Sequence, residues 1–137
     1  EQMKKILGAL FVISCLTGCV STHNDVLGTR HSQVQMRNYQ SRAFETEDKA
    51  MVLRAVISTM QDLDFIIERA DEKLGTISGT SFSNASKLTV SVRIVDGMTV
   101  VRANAQAGLR AISDPIPYQN FFNALSQSLF LEAFEVQ

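Results

Sequence analysis

The sequence predicts an α+β domain: an antiparallel sheet of about five strands with two helices packed on one face, in the order β-α-β-β-β-β-α. Three patterns carry that expectation. Residues 88–106 alternate apolar and polar side chains on either side of Asp96-Gly97, the pattern of a two-stranded hairpin. Residues 46–63 and 115–133 repeat apolar side chains every three or four positions, as helices with one buried face do. Short runs rich in Ile, Thr and Ser, bounded by Asp and Gly, lie between the first helix and the hairpin.

Tyr39–Glu45 alternate weakly and form the first expected strand. Thr46 offers a helix N-cap, and Glu47 and Asp48 suit the positive end of the helix dipole. The helix then runs to about Leu63, with Val52, Val56, Thr59 and Leu63 on one stripe and Leu53, Ile57 and Met60 widening it. Phe65–Ala70 reads as the second strand, Asp71–Gly75 as a turn, and Thr76–Phe82 as the third strand.

In the hairpin, pairing Val95 with Met98 places Val92 opposite Val101, Val90 opposite Ala103 and Leu88 opposite Ala105. That face is apolar, and alanine on its second strand lets a helix backbone approach closely. The other face carries Thr89, Ser91, Arg93, Arg102, Asn104 and Gln106, and is expected to meet water or a partner. Asp114-Pro115-Ile116-Pro117 opens the last helix, since proline fits the first turn. Its stripe is Tyr118, Phe122, Leu125 and Leu129, thickened by Phe121 and Ala133, while Phe130 and Phe134 fall on a second stripe.

The N-terminus has a different character. Lys4 and Lys5 follow Met3, which reads as the start, and an apolar run extends from Ile6 to Leu16. That run is shorter than the roughly 20 apolar residues a bilayer core requires, and has the length of a signal-peptide core. Leu16-Thr17-Gly18-Cys19 follows it, and no Ala-x-Ala cleavage site is present. This stretch resembles the lipobox of bacterial lipoproteins. The resemblance implies that residues 1–18 are removed, that the Cys19 thiol receives a diacylglyceryl group, and that the new amino group is acylated. Two or more acyl chains anchor a protein stably where one does not. The only other cysteine, Cys15, leaves with the signal, so the mature domain has no thiol.

Residues 19–37 read as a lipidated cysteine and a polar tether, and 38–137 as the single domain. Eighteen such residues span roughly 25 Å as a coil and about 60 Å at full stretch. By analogy with lipoprotein sorting in enterobacteria, Val20 in place of Asp directs the anchor to the outer membrane, with the domain facing the periplasm. Without Glu1, Lys4 and Lys5 the mature chain keeps 11 basic and 13 acidic residues, a balance that argues against a dedicated nucleic-acid binder.

The element order, the helix followed by Phe65-Ile66-Ile67, and Asp71-Glu72-Lys73-Leu74-Gly75-Thr76-Ile77 together carry a second resemblance. From about Arg37 to Val136 the chain is similar to small BamC-like outer-membrane accessory lipoproteins, whose folded part is a helix-grip domain. The resemblance implies that fold and an accessory role, and brings no catalytic or ligand motif with it.

Chemistry-bearing residues are sparse. His23 and His31 both lie in the tether, so zinc sites and Cys/His or Ser/His/Asp catalysis lack their components in the domain. Gly75, Gly79, Gly97 and Gly108 are scattered, without the spacing of a phosphate loop. Asp62 with Asp64, and Asp71 with Glu72, could as carboxylate pairs serve glycoside hydrolysis, but sit where surface turns are expected. The expectation is a protein without catalytic residues, metal or cofactor. It docks on another envelope protein through Arg93 and Arg102, or through Phe130 and Phe134. A small-ligand or peptidoglycan-binding module is the alternative, the former with a cavity lined by Phe65, Ile67, Val92, Phe122 and Leu125. A cell-wall hydrolase, third in order, requires a buried carboxylate in a groove.

Overall fold

At the centre of the sheet is the Asp96-Gly97 hairpin, here seen in a computed structural model that describes residues 34–35 and 37–135. Both turn residues have positive φ, 52° and 76°, as the tightest hairpin turns require. The flanking strands are β4 (Lys87–Val95) and β5 (Met98–Ala107). Their register is the expected one, with Val95 opposite Met98 and Leu88 opposite Ala105.

Around the hairpin stand β1 (Ser41–Phe44), β2 (Phe65–Asp71), β3 (Thr76–Ser81) and β6 (Arg110–Ala111), with α1 (Lys49–Asp62) and α2 (Pro115–Glu135). The antiparallel order is β1-β5-β4-β3-β2, with β6 also paired to β5. The fold is thus α+β, an open sheet with helices packed on it, as the sequence predicts. Among the described residues no helix is long and apolar enough to cross a membrane.

The alternation decides which face the helices cover. Val90, Val92, Val101 and Ala103 are fully buried, and Ile77 from β3 joins them. Opposite them α1 contributes Val52, Val56 and Met60, and α2 contributes Tyr118, Phe122 and Leu125. Leu129 ends the buried part of α2 at 9% exposure. Ala133, expected to thicken that stripe, is exposed, because it lies a full turn beyond Leu129.

Several boundaries differ from expectation for identifiable reasons. Asp48, not Thr46, caps α1, its carboxylate accepting the Met51 N–H at 3.0 Å. Thr46 has another duty, its carbonyl accepting the buried Thr99 hydroxyl at 2.6 Å and so fastening the loop to β5. The third strand stops at Ser81, where the chain turns on Ser81 N–H to Ser86 carbonyl, and Phe82 is left 83% exposed. Strand β6 is too short to leave a periodic pattern in the sequence. Gly75, φ +70°, closes the β2–β3 turn where an added Cβ would sit 2.3 Å from the Val92 carbonyl oxygen.

Strands β1 and β6 share one edge of β5, end to end, and Tyr118 fills the gap between them. Its hydroxyl donates to the Ile112 carbonyl at 2.7 Å. The same oxygen accepts the Ala105 N–H at 3.1 Å and the Gln40 amide at 3.3 Å. A side chain of α2 thereby completes the hydrogen bonding of the sheet edge.

Candidate functional site

Among the described residues no helix covers the second face of the sheet. Register sets its residues: Thr76, Ser78 and Thr80 of β3 stand opposite Ser91, Thr89 and Lys87 of β4. Arg102 of β5 faces Ser91 on one side and Ser41 on the other, while Arg93 faces Val100. Small hydroxyl residues along the middle strands leave the longer side chains standing above a shallow surface. Between Arg69, Leu74, Ser78, Lys87 and Thr89 it dips into a groove of about 310 Å³.

The two sequence-selected arginines therefore do share this face, one strand apart and diagonal. Both are exposed, and among the described residues neither guanidinium has an ion pair or hydrogen bond. The other cations are Arg69 and Lys87, which the sequence reading left out. Lys87 is 3.8 Å from Glu68, and the Thr80 hydroxyl donates to that carboxylate at 2.8 Å. Glu68 shares this face with Ile66 by simple alternation, and Arg69 reaches it because the β2–β3 register shifts between Ile67 and Arg69, a bulge that re-aims a side chain. Register alone would have flagged Arg69 had the bulge been visible in the sequence.

Arg42 shows the opposite outcome. It lies opposite Val101, on the helix-covered face. Its guanidinium sits 5.2 Å from the Phe122 ring centre and donates to Ser126 at 3.2 Å. That cation joins β1 to α2 and is not offered to a partner.

The apolar candidates divide. Phe130 is 63% exposed, beside Leu131 at 63%, and both line a shallow depression with Ser126 and Gln127. The Phe134 side chain lies outside the described residues, as do Cys19, His23 and His31.

Of the residues expected to line a cavity, Val92, Phe122 and Leu125 are buried in the core. Phe65 instead lines a cleft of about 260 Å³ between sheet and α2, with Leu88 and Phe121 below and Ser83, Asn84 and Asn120 at its mouth. The acidic pairs hold turns. Asp71 accepts the Leu74 N–H at 2.9 Å, and Asp64 adopts φ +64° where α1 reverses into β2. Among the described residues no three His, Cys, Asp or Glu side chains are placed to hold a metal ion. The surface is suited to recognition through charge and hydrogen bonds. No protein-family model matches the sequence, and no curated protein does.

Proposed function

We propose that this chain is a lipid-anchored, non-catalytic accessory protein of the bacterial envelope, which docks on a neighbouring envelope protein through the polar face of its sheet. The observation that carries the reading is the pair Arg93 and Arg102, exposed and without partner among the described residues, on the face of the sheet opposite the one that α1 and α2 cover. An arginine fork binds carboxylates in two-pronged fashion, so the partner presents an acidic surface. Cys19, which lies outside the described residues, supplies the anchor through the resemblance of Leu16-Thr17-Gly18-Cys19 to a lipobox. Val20 places that anchor in the outer membrane, facing the periplasm.

A photo-crosslinking residue at Thr89, in the living bacterium, tests the docking face. It should trap one membrane-associated protein, and Arg93→Glu with Arg102→Glu should abolish the adduct while the chain remains folded. Absence of any adduct, or an adduct indifferent to charge reversal, refutes the reading. Labelled fatty acid should enter the chain and not its Cys19→Ser variant.

One observation favours a second reading. The cleft beside Phe65 has an apolar floor and a rim of Ser and Asn, the arrangement of a small-ligand site. A saturable gain in melting temperature with a fatty acid, lost in Phe65→Asp, would support that reading in place of the first.

A further inference from the structure

The strand register brings several features to one end of the sheet. Phe65 is opposite Ser81, Lys87 opposite Gln106, and Ala107 opposite Arg110. The β3–β4 and β5–β6 loops therefore project side by side. Each carries one large apolar residue at its tip: Phe82 is 83% exposed and Leu109 fully so at 104%. Ile116, in the first turn of α2, adds a third at 58%.

The tip that bears Phe82 is held in place. Ser81 N–H donates to the Ser86 carbonyl and Ala85 N–H to the Ser81 carbonyl. Ser86 N–H donates to the Asn84 side chain at 3.0 Å. Ala85 keeps φ +55°, an uncommon conformation for a residue with a Cβ, which persists where surrounding bonds over-determine it. Phe82 is thus presented to solvent by a defined loop.

The preceding chain joins the domain at this same end. The Tyr39 hydroxyl donates to the Ser113 carbonyl at 2.6 Å, and its ring lies 5.6 Å from that of Tyr118. The Gln40 carbonyl then accepts from Ala103 to begin the β1 pairing.

Charge separates the two ends. The far end also exposes Leu74, Ile94 and Val95, but among Glu45, Glu47, Asp48, Asp71, Glu72 and Asp96, with only Lys49 and Lys73 near that turn to offset them. At the near end Asp64, whose carbonyl accepts the Phe82 N–H, and Asp114, whose carboxylate accepts the Ile116 N–H, stand against one cation of the tips, Arg110. An anionic bilayer therefore repels the first end more strongly than the second.

We infer that this end is a membrane-contact surface: Phe82 and Leu109 enter the interfacial layer of an anionic bilayer, with Ile116 beside them and Arg110 at the headgroup phosphates. The inference rests on the lipid-anchored reading, and adds an orientation to it. Strands of the sheet point toward the lipid, and the arginine-bearing face turns sideways, toward proteins embedded in the same membrane.

The chain contains no tryptophan, so Phe82→Trp and Leu109→Trp each introduce a unique reporter at an exposed position. Leu74→Trp serves as the far-end control. The full chain, purified with its lipid, is reconstituted into phosphatidylethanolamine–phosphatidylglycerol vesicles with brominated acyl chains. Emission from positions 82 and 109 should shift to the blue and be quenched about twofold or more, as interfacial burial demands, while position 74 stays unquenched. Vesicle flotation of the unsubstituted chain against Cys19→Ser reads the anchor separately. A chain that floats with all three reporters unquenched overturns the contact surface and leaves the anchor standing. Failure to float overturns both, and equal quenching at position 74 overturns the orientation. Tips shielded from a water-soluble quencher in native membranes, yet open in protein-free vesicles, would assign this end to a protein and overturn the lipid assignment.

Discussion

Replacing Tyr118 with Phe removes one oxygen atom and leaves a ring that is 1% exposed in place. That oxygen stands where a strand would otherwise be. Along the same edge of β5, Ala103 N–H reaches the Gln40 carbonyl and the Ala105 carbonyl receives Ile112 N–H. Only Ala105 N–H depends on a side chain, at 3.1 Å. A buried donor left without an acceptor costs about 1–3 kcal/mol. The Gln40 amide, bonded at 3.3 Å, and the Ile112 carbonyl, on a half-buried residue, recover part of their loss through water. Tyr118→Phe should therefore destabilise the domain by about 2–3 kcal/mol, dominated by Ala105. For about 100 residues this lowers the thermal midpoint by about 10–20 °C. Circular-dichroism melting of the full chain in detergent measures the loss, and hydrogen exchange at the Ala105 amide localises it. A loss below about 0.5 kcal/mol, or an Ala105 amide as protected as before, would refute the role given to this hydroxyl.

Four further outcomes follow from single contacts. Gly75→Ala combines a left-handed φ of +70° with a Cβ at 2.3 Å from the Val92 carbonyl oxygen, and should cost about 3 kcal/mol or more in denaturant titration. Asp48→Ala should cost about 1 kcal/mol by loss of the α1 cap; Thr46→Ser, which keeps the carbonyl bonded to Thr99, should cost clearly less in the same titration. The Thr59 hydroxyl is buried with no partner among the described residues, so Thr59→Val should raise stability by about 1 kcal/mol, read as a higher melting point. The Tyr39 phenol is held above its ordinary 10.0 by desolvation first, then by the fields of Tyr118 and Asp114. Its contribution is complete below pH 10 and is lost as pH rises through the folded-state value, so stability measured across that alkaline range should fall less steeply in Tyr39→Phe.

Legibility followed the range of the interactions involved. The hairpin was fully readable, because an alternation of period two and a turn that demands positive φ leave one register. The diagonal placement of Arg93 and Arg102 came with it. Arg69 was not readable, since a one-residue bulge changes which side chains share a face without changing composition. Phe82 looked like a strand residue, yet the Ser81–Ser86 bond ends the ladder one position earlier. The expected cavity residues were apolar and inward-facing as foreseen, but whether such residues fill a space or line one depends on how the helices settle.

By itself the sequence determined the number and order of the main elements, the covered face and the polar face, since periodicity is a local property that each segment carries alone. The proposed lipidation of Cys19 likewise rests on its neighbours in the chain, Leu16-Thr17-Gly18. Only the tertiary structure decided which ends of the strands lie together. Phe82 is far in sequence from Leu109 and Ile116 and shares one end of the sheet with them because antiparallel registers bring the β3–β4 and β5–β6 loops together. Likewise Tyr118 reads as one more apolar ring in a helix until the gap between β1 and β6 gives its hydroxyl three partners.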